Sequence, residues 1–138
     1  MTKLFELIKK YESIGDFTHC VVSDKMLQGV EARLQIKIPL EYREFLKEFG
    51  HGGIGGIEII GVGKNGIMLF EHKTLQYCTY GLLKELIVVE NCDEWIYCIN
   101  SRNGKVVMWD RNVMGYFDVY ENFYSYLNDR VNDVLENI

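Results

Sequence analysis

Apolar positions recur along this chain first at helical spacing, then in short strand-like runs, and again at helical spacing toward the end. Leu4, Phe5 and Ile8 share one face of a short first helix that Thr2 can cap and that Gly15-Asp16 ends. Ser23 suits a second N-cap, and Leu27, Val30 and Leu34 follow on one face, predicting a helix over residues 24–35. Residues 36–38 read as extended, because the residue before Pro39 avoids the helical region. Pro39 then fits a first helical position. Leu40, Tyr42, Phe45, Leu46 and Phe49 line a third helix over 40–49, and Gly50 stands where a left-handed cap belongs.

The middle of the chain changes character. Residues 50–56, rich in glycine, read as a flexible loop, residues 57–62 and 66–70 as strands, and 73–81 as a short helix. A buried strand is expected over 86–89. Residues 95–99 and 105–109 flank Ser101-Arg102-Asn103-Gly104, whose Asn-Gly step marks a hairpin. A final helix over 121–136 places Phe123, Leu127, Val131, Val134 and Leu135 toward the core. Helices at both ends bracket strands joined by short turns. That order predicts an α+β fold, a mainly antiparallel sheet covered by N-terminal and C-terminal helices. With no linker, internal repeat or low-complexity tract, residues 1–138 read as one domain, long enough to bury roughly 70% of the unfolded chain's surface.

Composition narrows the function classes. No apolar run approaches the ~18 residues of a membrane helix. The first seven residues mix charges into their apolar positions, unlike a signal peptide, so the expected location is cytoplasmic and no membrane partner is expected. Cys20, Cys78, Cys92 and Cys98 form no C-x-x-C pair, and no histidine lies at zinc-ligand spacing from them. Free thiols are expected, with neither a disulfide framework nor a metal site. Residues 1–69 hold nine basic and nine acidic side chains, so residues 70–138, with six and eleven, carry the whole net charge of −5. An acidic half repels phosphate backbones, which disfavours direct nucleic-acid binding, and attracts basic partners.

Motifs for catalysis are sparse. Gly50-x-Gly52-x-x-Gly55 matches a dinucleotide fingerprint in letters only, since here a helix precedes the loop and a strand is expected after it. His51-Gly52-Gly53 resembles a lipase oxyanion loop, but no G-x-S-x-G nucleophile elbow exists in the chain. His19 and His72 are isolated, and nothing marks carboxylates such as Glu58 and Asp110 as an acid/base pair. No enzymatic activity and no cofactor are expected. The remaining resource is aromatic: Tyr116, Phe117, Tyr120, Phe123, Tyr124 and Tyr126 crowd eleven residues. One helix face cannot bury them all, so some tyrosines should stay partly exposed, as they do at protein interfaces.

In order and spacing these pieces resemble the SUKH superfamily (Smi/Knr type). The resemblance rests on a helix from Val22-Ser23-Asp24 to Leu34, the Ile38-Pro39 step, Tyr42-Arg43-Glu44-Phe45-Leu46, and the glycine-rich stretch from Gly50 to Gly56. Gly104-Lys105-Val106-Val107-Met108-Trp109-Asp110 and a closing helix with Phe123 and Leu127 complete it, over residues 20–136. The resemblance implies binding rather than catalysis. Bacterial members are immunity proteins that neutralise toxins, often nucleases, delivered between competing cells, and fungal members regulate cell-wall synthesis and signalling. Ile38, Pro39, Tyr42, Phe45, Leu46 and Trp109 then read as fold determinants. The expected function is an immunity protein occluding a basic cognate toxin, the alternative a regulatory or scaffold domain of the same fold, and the expected state a monomer or weak homodimer. Glu85, Glu90, Asp93 and Glu94 lie within ten residues beside the predicted hairpin. With Asp110, Tyr116 and Tyr120 they are the candidate toxin-binding residues.

Overall fold

The structure is a computed structural model that describes residues 2–113 and 115–137. The capping role expected of the Thr2 side chain lies outside the described residues. The chain runs α1 (Thr2–Lys10), a 3₁₀ turn (Glu12–Ile14), β1 (Gly15–Phe17), α2 (Asp24–Leu34), α3 (Leu40–Phe49) and β2 (Gly52–Ile54). A second 3₁₀ turn (Lys64–Gly66) leads into α4 (Leu69–Cys78), and then come β3 (Leu86–Asn91), β4 (Ile96–Asn100), β5 (Val106–Asp110), β6 (Gly115–Tyr120) and α5 (Phe123–Glu136). This is an α+β fold with two antiparallel sheets: the pair β1-β2 and the four-stranded meander β3-β4-β5-β6.

Local chemistry accounts for the N-terminal helices. Ser23 Oγ accepts the Met26 backbone N–H at 3.2 Å and starts α2, which ends at Gln35 in the left-handed region, φ 57°. Glu31 then ties α2 to α3: its Oε2 accepts the Ile38 N–H at 2.7 Å and the Arg43 guanidinium at 2.9 Å. That clamp holds the Ile38-Pro39 step at the entrance to α3. The stripe Tyr42, Phe45, Leu46 and Phe49 is fully buried, and Tyr42 donates its hydroxyl to the Ile60 carbonyl at 2.6 Å.

Register assigns the two faces of the larger sheet. Trp109 pairs with Ile96 and Tyr116, and its ring meets Tyr77 of α4 edge-on, so that face lies under α4. Tyr97 pairs with Met108 and Glu90, and its ring meets Tyr126 of α5, so the opposite face lies under α5. A β-bulge at Val88/Glu90 breaks the alternation of β3. Without it Glu90 would face α4; with it, Glu90 turns under α5. One cluster of buried side chains joins residues of α1, α2, α3, α4, α5 and the larger sheet.

The structure corrects three expectations in the middle of the chain. The glycine-rich stretch is no flexible loop, because it contains β2, paired with β1. Glycine is needed there because a Cβ at Gly52, whose φ is 123°, would stand 1.8 Å from the Asp16 carbonyl oxygen. Residues 57–62 form no continuous strand. They make single bridges, Gly52 to Ile59 and Val62 to Met68, and the Ile60 N–H donates to the Val89 carbonyl at 2.7 Å. Residues 66–70 run from the end of a 3₁₀ turn through the single bridge at Met68 into the start of α4, since a short apolar run has no period by which to tell strand from helix. The aromatic cluster splits between α5 and β6, a strand over Gly115–Tyr120 for which the sequence pattern predicts no element.

Candidate functional site at the end of the sheet

The meander brings two turns to the same end of the sheet. β3 finishes at Asn91 and β4 begins at Ile96, its register partner, while β5 finishes at Asp110 opposite Gly115, the first residue of β6. The first turn is tight: Cys92 N–H donates to the Trp95 carbonyl at 2.9 Å and Asn91 Oδ1 accepts the Asp93 N–H at 2.9 Å. Asp93 sits in the left-handed region, φ 66°, where aspartate is tolerated better than most residues. Both Asp93 and Glu94 are exposed. In the second turn Asp110 Oδ1 accepts the Asn112 N–H at 2.8 Å, and Val113 stands 67% exposed at the tip. Arg111, the cation of that turn, stacks over the Tyr80 ring at 4.0 Å. The result is an end surface bearing Asp93, Glu94 and Asp110 around an apolar tip.

The remaining predicted site residues do not join it. Glu85 precedes β3 and its carbonyl accepts the Ser101 N–H at 2.8 Å, so it lies at the opposite end of the sheet. Glu90 is 4% exposed and therefore offers no surface to a partner. Its carboxylate accepts Arg130 Nε at 3.0 Å and Nη2 at 2.6 Å, and the Tyr126 hydroxyl at 2.5 Å. The bulge in β3 delivers it there, and the burial is a correction to its expected place on an acidic surface. Tyr120 donates its hydroxyl to Asp129 at 2.5 Å, and burial together with that carboxylate pushes its ionisation well above the ordinary tyrosine range. Tyr116 is half-buried beside Trp109 on the α4 face. Tyr116 and Tyr120 stay partly exposed while Tyr124 and Tyr126 are buried, and the hydroxyls of Tyr120, Tyr124 and Tyr126 are all held by carboxylates of this same chain.

Sequence reasoning missed the buried cluster as a unit. Glu90 and Arg130 are forty residues apart, and only the helical phase of Tyr126 and Arg130, four residues apart on α5, hinted that one face carries both. Cys92 stands beside this cluster; burial first, and then the negative charge of Glu90, push its thiol up to about 12. A second ion pair of the same kind joins α2 to α4, where Arg33 Nε and Nη2 meet the buried carboxylate of Glu71 at 2.6 and 2.8 Å. Among the described residues no three His, Cys, Asp or Glu side chains are placed to hold a metal ion, and no helix is long and apolar enough to cross a membrane.

The family model named SUKH_5, described as SMI1-KNR4 cell-wall, matches residues 1–132. The chain belongs to the SUKH superfamily. The match takes in α1, which lies ahead of the motifs from which the resemblance was read. Among solved structures, a protein from Pseudomonas syringae pv. tomato is similar over 91% of this chain and 96% of its own, with a TM-score of 0.72 and 20% sequence identity. That likeness is one of fold. In this SUKH domain the motif residues do structural work: Ile38, Tyr42, Phe45, Leu46 and Trp109 are buried, and Pro39 opens α3. Asp110 is half-exposed and holds the β5-β6 turn.

Proposed function

We propose that this SUKH domain is an immunity protein that binds a protein toxin through the acidic end of its sheet and neutralises it by occlusion. The observation that carries the reading is the convergence of Asp93, Glu94 and Asp110 on two neighbouring turns, with no cation partner among the described residues. A nuclease toxin presents a basic groove to its phosphate substrate, and an acidic surface competes for that groove. Opposite charge speeds the encounter and weakens with salt. Val113 at the tip supplies apolar contact that charge alone does not.

Co-expression tests the reading. The chain is produced together with a candidate toxin drawn from the genes beside its own, either as wild type or with Asp93→Asn, Glu94→Gln and Asp110→Asn combined. The amides keep the turn hydrogen bonds and remove the charges. Wild type is expected to restore growth and the variant to restore less of it; a wild type that gives no protection contradicts the proposal. The cell-wall description of the matching family model favours a second reading, a regulatory or scaffold domain. Under that reading, deleting the gene in a strain without the toxin changes sensitivity to cell-wall stress, whereas an immunity protein leaves it unchanged.

A further inference from the structure

The two edges of the larger sheet are treated differently. The outer edge of β3 is partly closed, because the Ile60 N–H donates to the Val89 carbonyl. Beyond its pairing with β5, no backbone hydrogen bond among the described residues reaches β6. Neither helical layer covers it: α4 meets the sheet at Trp109 of β5, and α5 meets β6 at its last residue, Tyr120. Phe117 is left 56% exposed and Val119 38%. The strand, Gly-Tyr-Phe-Asp-Val-Tyr, contains no lysine and no proline, the residues that usually protect a free edge. Its one charge, Asp118, leans toward Lys105 at 3.6 Å.

A row of unpaired, alternating N–H and C=O groups is a template on which another extended strand can pair. We propose that the strand is β6 of a second copy, antiparallel about a two-fold axis at Phe117, so that two four-stranded sheets become one continuous sheet. Self-complementarity selects both partner and register. In antiparallel pairing, directly opposed residues share a face, so a symmetric pair must be centred on a residue. Centring on Asp118 sets two carboxylates against each other, which destabilises a sheet. Centring on Val119 falls on the bulge between β5 and β6, and centring on Tyr116 leaves Val119 outside the pair. Centring on Phe117 stacks the two exposed rings, puts each Tyr116 hydroxyl opposite an Asp118 carboxylate, and pairs Gly115 with Val119. The two acidic sheet ends then lie at opposite ends of the shared strand pair.

A strand pair this short buries less than a standard interface, so the dimer exchanges and its formation depends on concentration. Sedimentation equilibrium of the purified chain from ~10 µM to ~1 mM is expected to rise from the monomer mass of 16.1 kDa toward twice that value. Amide exchange of residues 115–120 should slow over the same range, with no change elsewhere. Phe117→Lys, at an exposed position, should hold the monomer mass throughout while keeping the wild-type urea midpoint. Phe117→p-benzoylphenylalanine, irradiated at high concentration, should cross-link to a peptide that contains β6 of the other copy. A wild type that stays monomeric overturns the proposal, as does a dimer that survives Phe117→Lys, one whose exchange protection falls outside β6, or one whose cross-link maps to another element.

Discussion

A carboxylate withdrawn from water must be met by donors, and Glu90 is met by three: Arg130 Nε, Arg130 Nη2 and the Tyr126 hydroxyl. The arrangement is worth little against an apolar core of the same shape, but breaking one side of it is costly. Glu90→Ala would leave the guanidinium and a fully buried hydroxyl without their acceptor. The expected loss is about 3–5 kcal/mol in urea unfolding, and a loss under ~1 kcal/mol would show that water replaces the carboxylate. The same cluster sets an alkaline limit. An unfolded cysteine thiol ionises near 9, whereas Cys92 in the fold holds its proton to about 12. As pH rises, the unfolded chain therefore releases the proton first. Stability from this group is complete below 9 and falls between 9 and about 12. Wild type measured against Cys92→Ala should lose relative stability from about pH 9 to about pH 12; a constant difference would place the thiol in water. Burial raises the Tyr42 and Tyr126 hydroxyls and the Cys98 thiol in the same direction.

At the scale of elements, what was legible depended on whether a period could be counted. α2, α3 and α5 declare themselves by caps and apolar faces, and they stand where the spacing predicts them apart from a residue or two at the ends. The hairpin around Asn103-Gly104 is likewise in place. Residues 66–70 were too short an apolar run to show helix or strand, and β6 hid because its aromatics continue into those of α5. The bulge in β3 falls within an unbroken apolar string, Leu86 to Val89, so nothing marked where alternation would fail and Glu90 would turn inward. For the candidate site this meant that Asp93, Glu94 and Asp110 could be named as acids but not placed together on two turns, and that Glu85 and Glu90 needed the register to be told apart from them. One element carries a stability test of its own. Gln35 closes α2 in the left-handed region, where a Cβ costs about 1 kcal/mol. Gln35→Gly should therefore raise the unfolding free energy by about 0.5–1 kcal/mol, and a lower urea midpoint would show that the Gln35 side chain supports the end of α2.

Over the whole molecule, charge is sorted by position rather than simply by amount. Several acids of the acidic half are spent inside the fold or against neighbours: Glu71 on Arg33, Glu90 on Arg130 and Asp118 on Lys105. What reaches solvent at the end of the sheet is the smaller set that the two turns present. The central claim is that this set draws a basic toxin into place. Stopped-flow association with the cognate toxin, for wild type and for the Asp93→Asn, Glu94→Gln, Asp110→Asn variant at low and high salt, tests it most directly. Wild type should associate roughly tenfold faster at low salt, with the two rates converging near ~0.5 M. Equal rates at both salt concentrations would contradict the account.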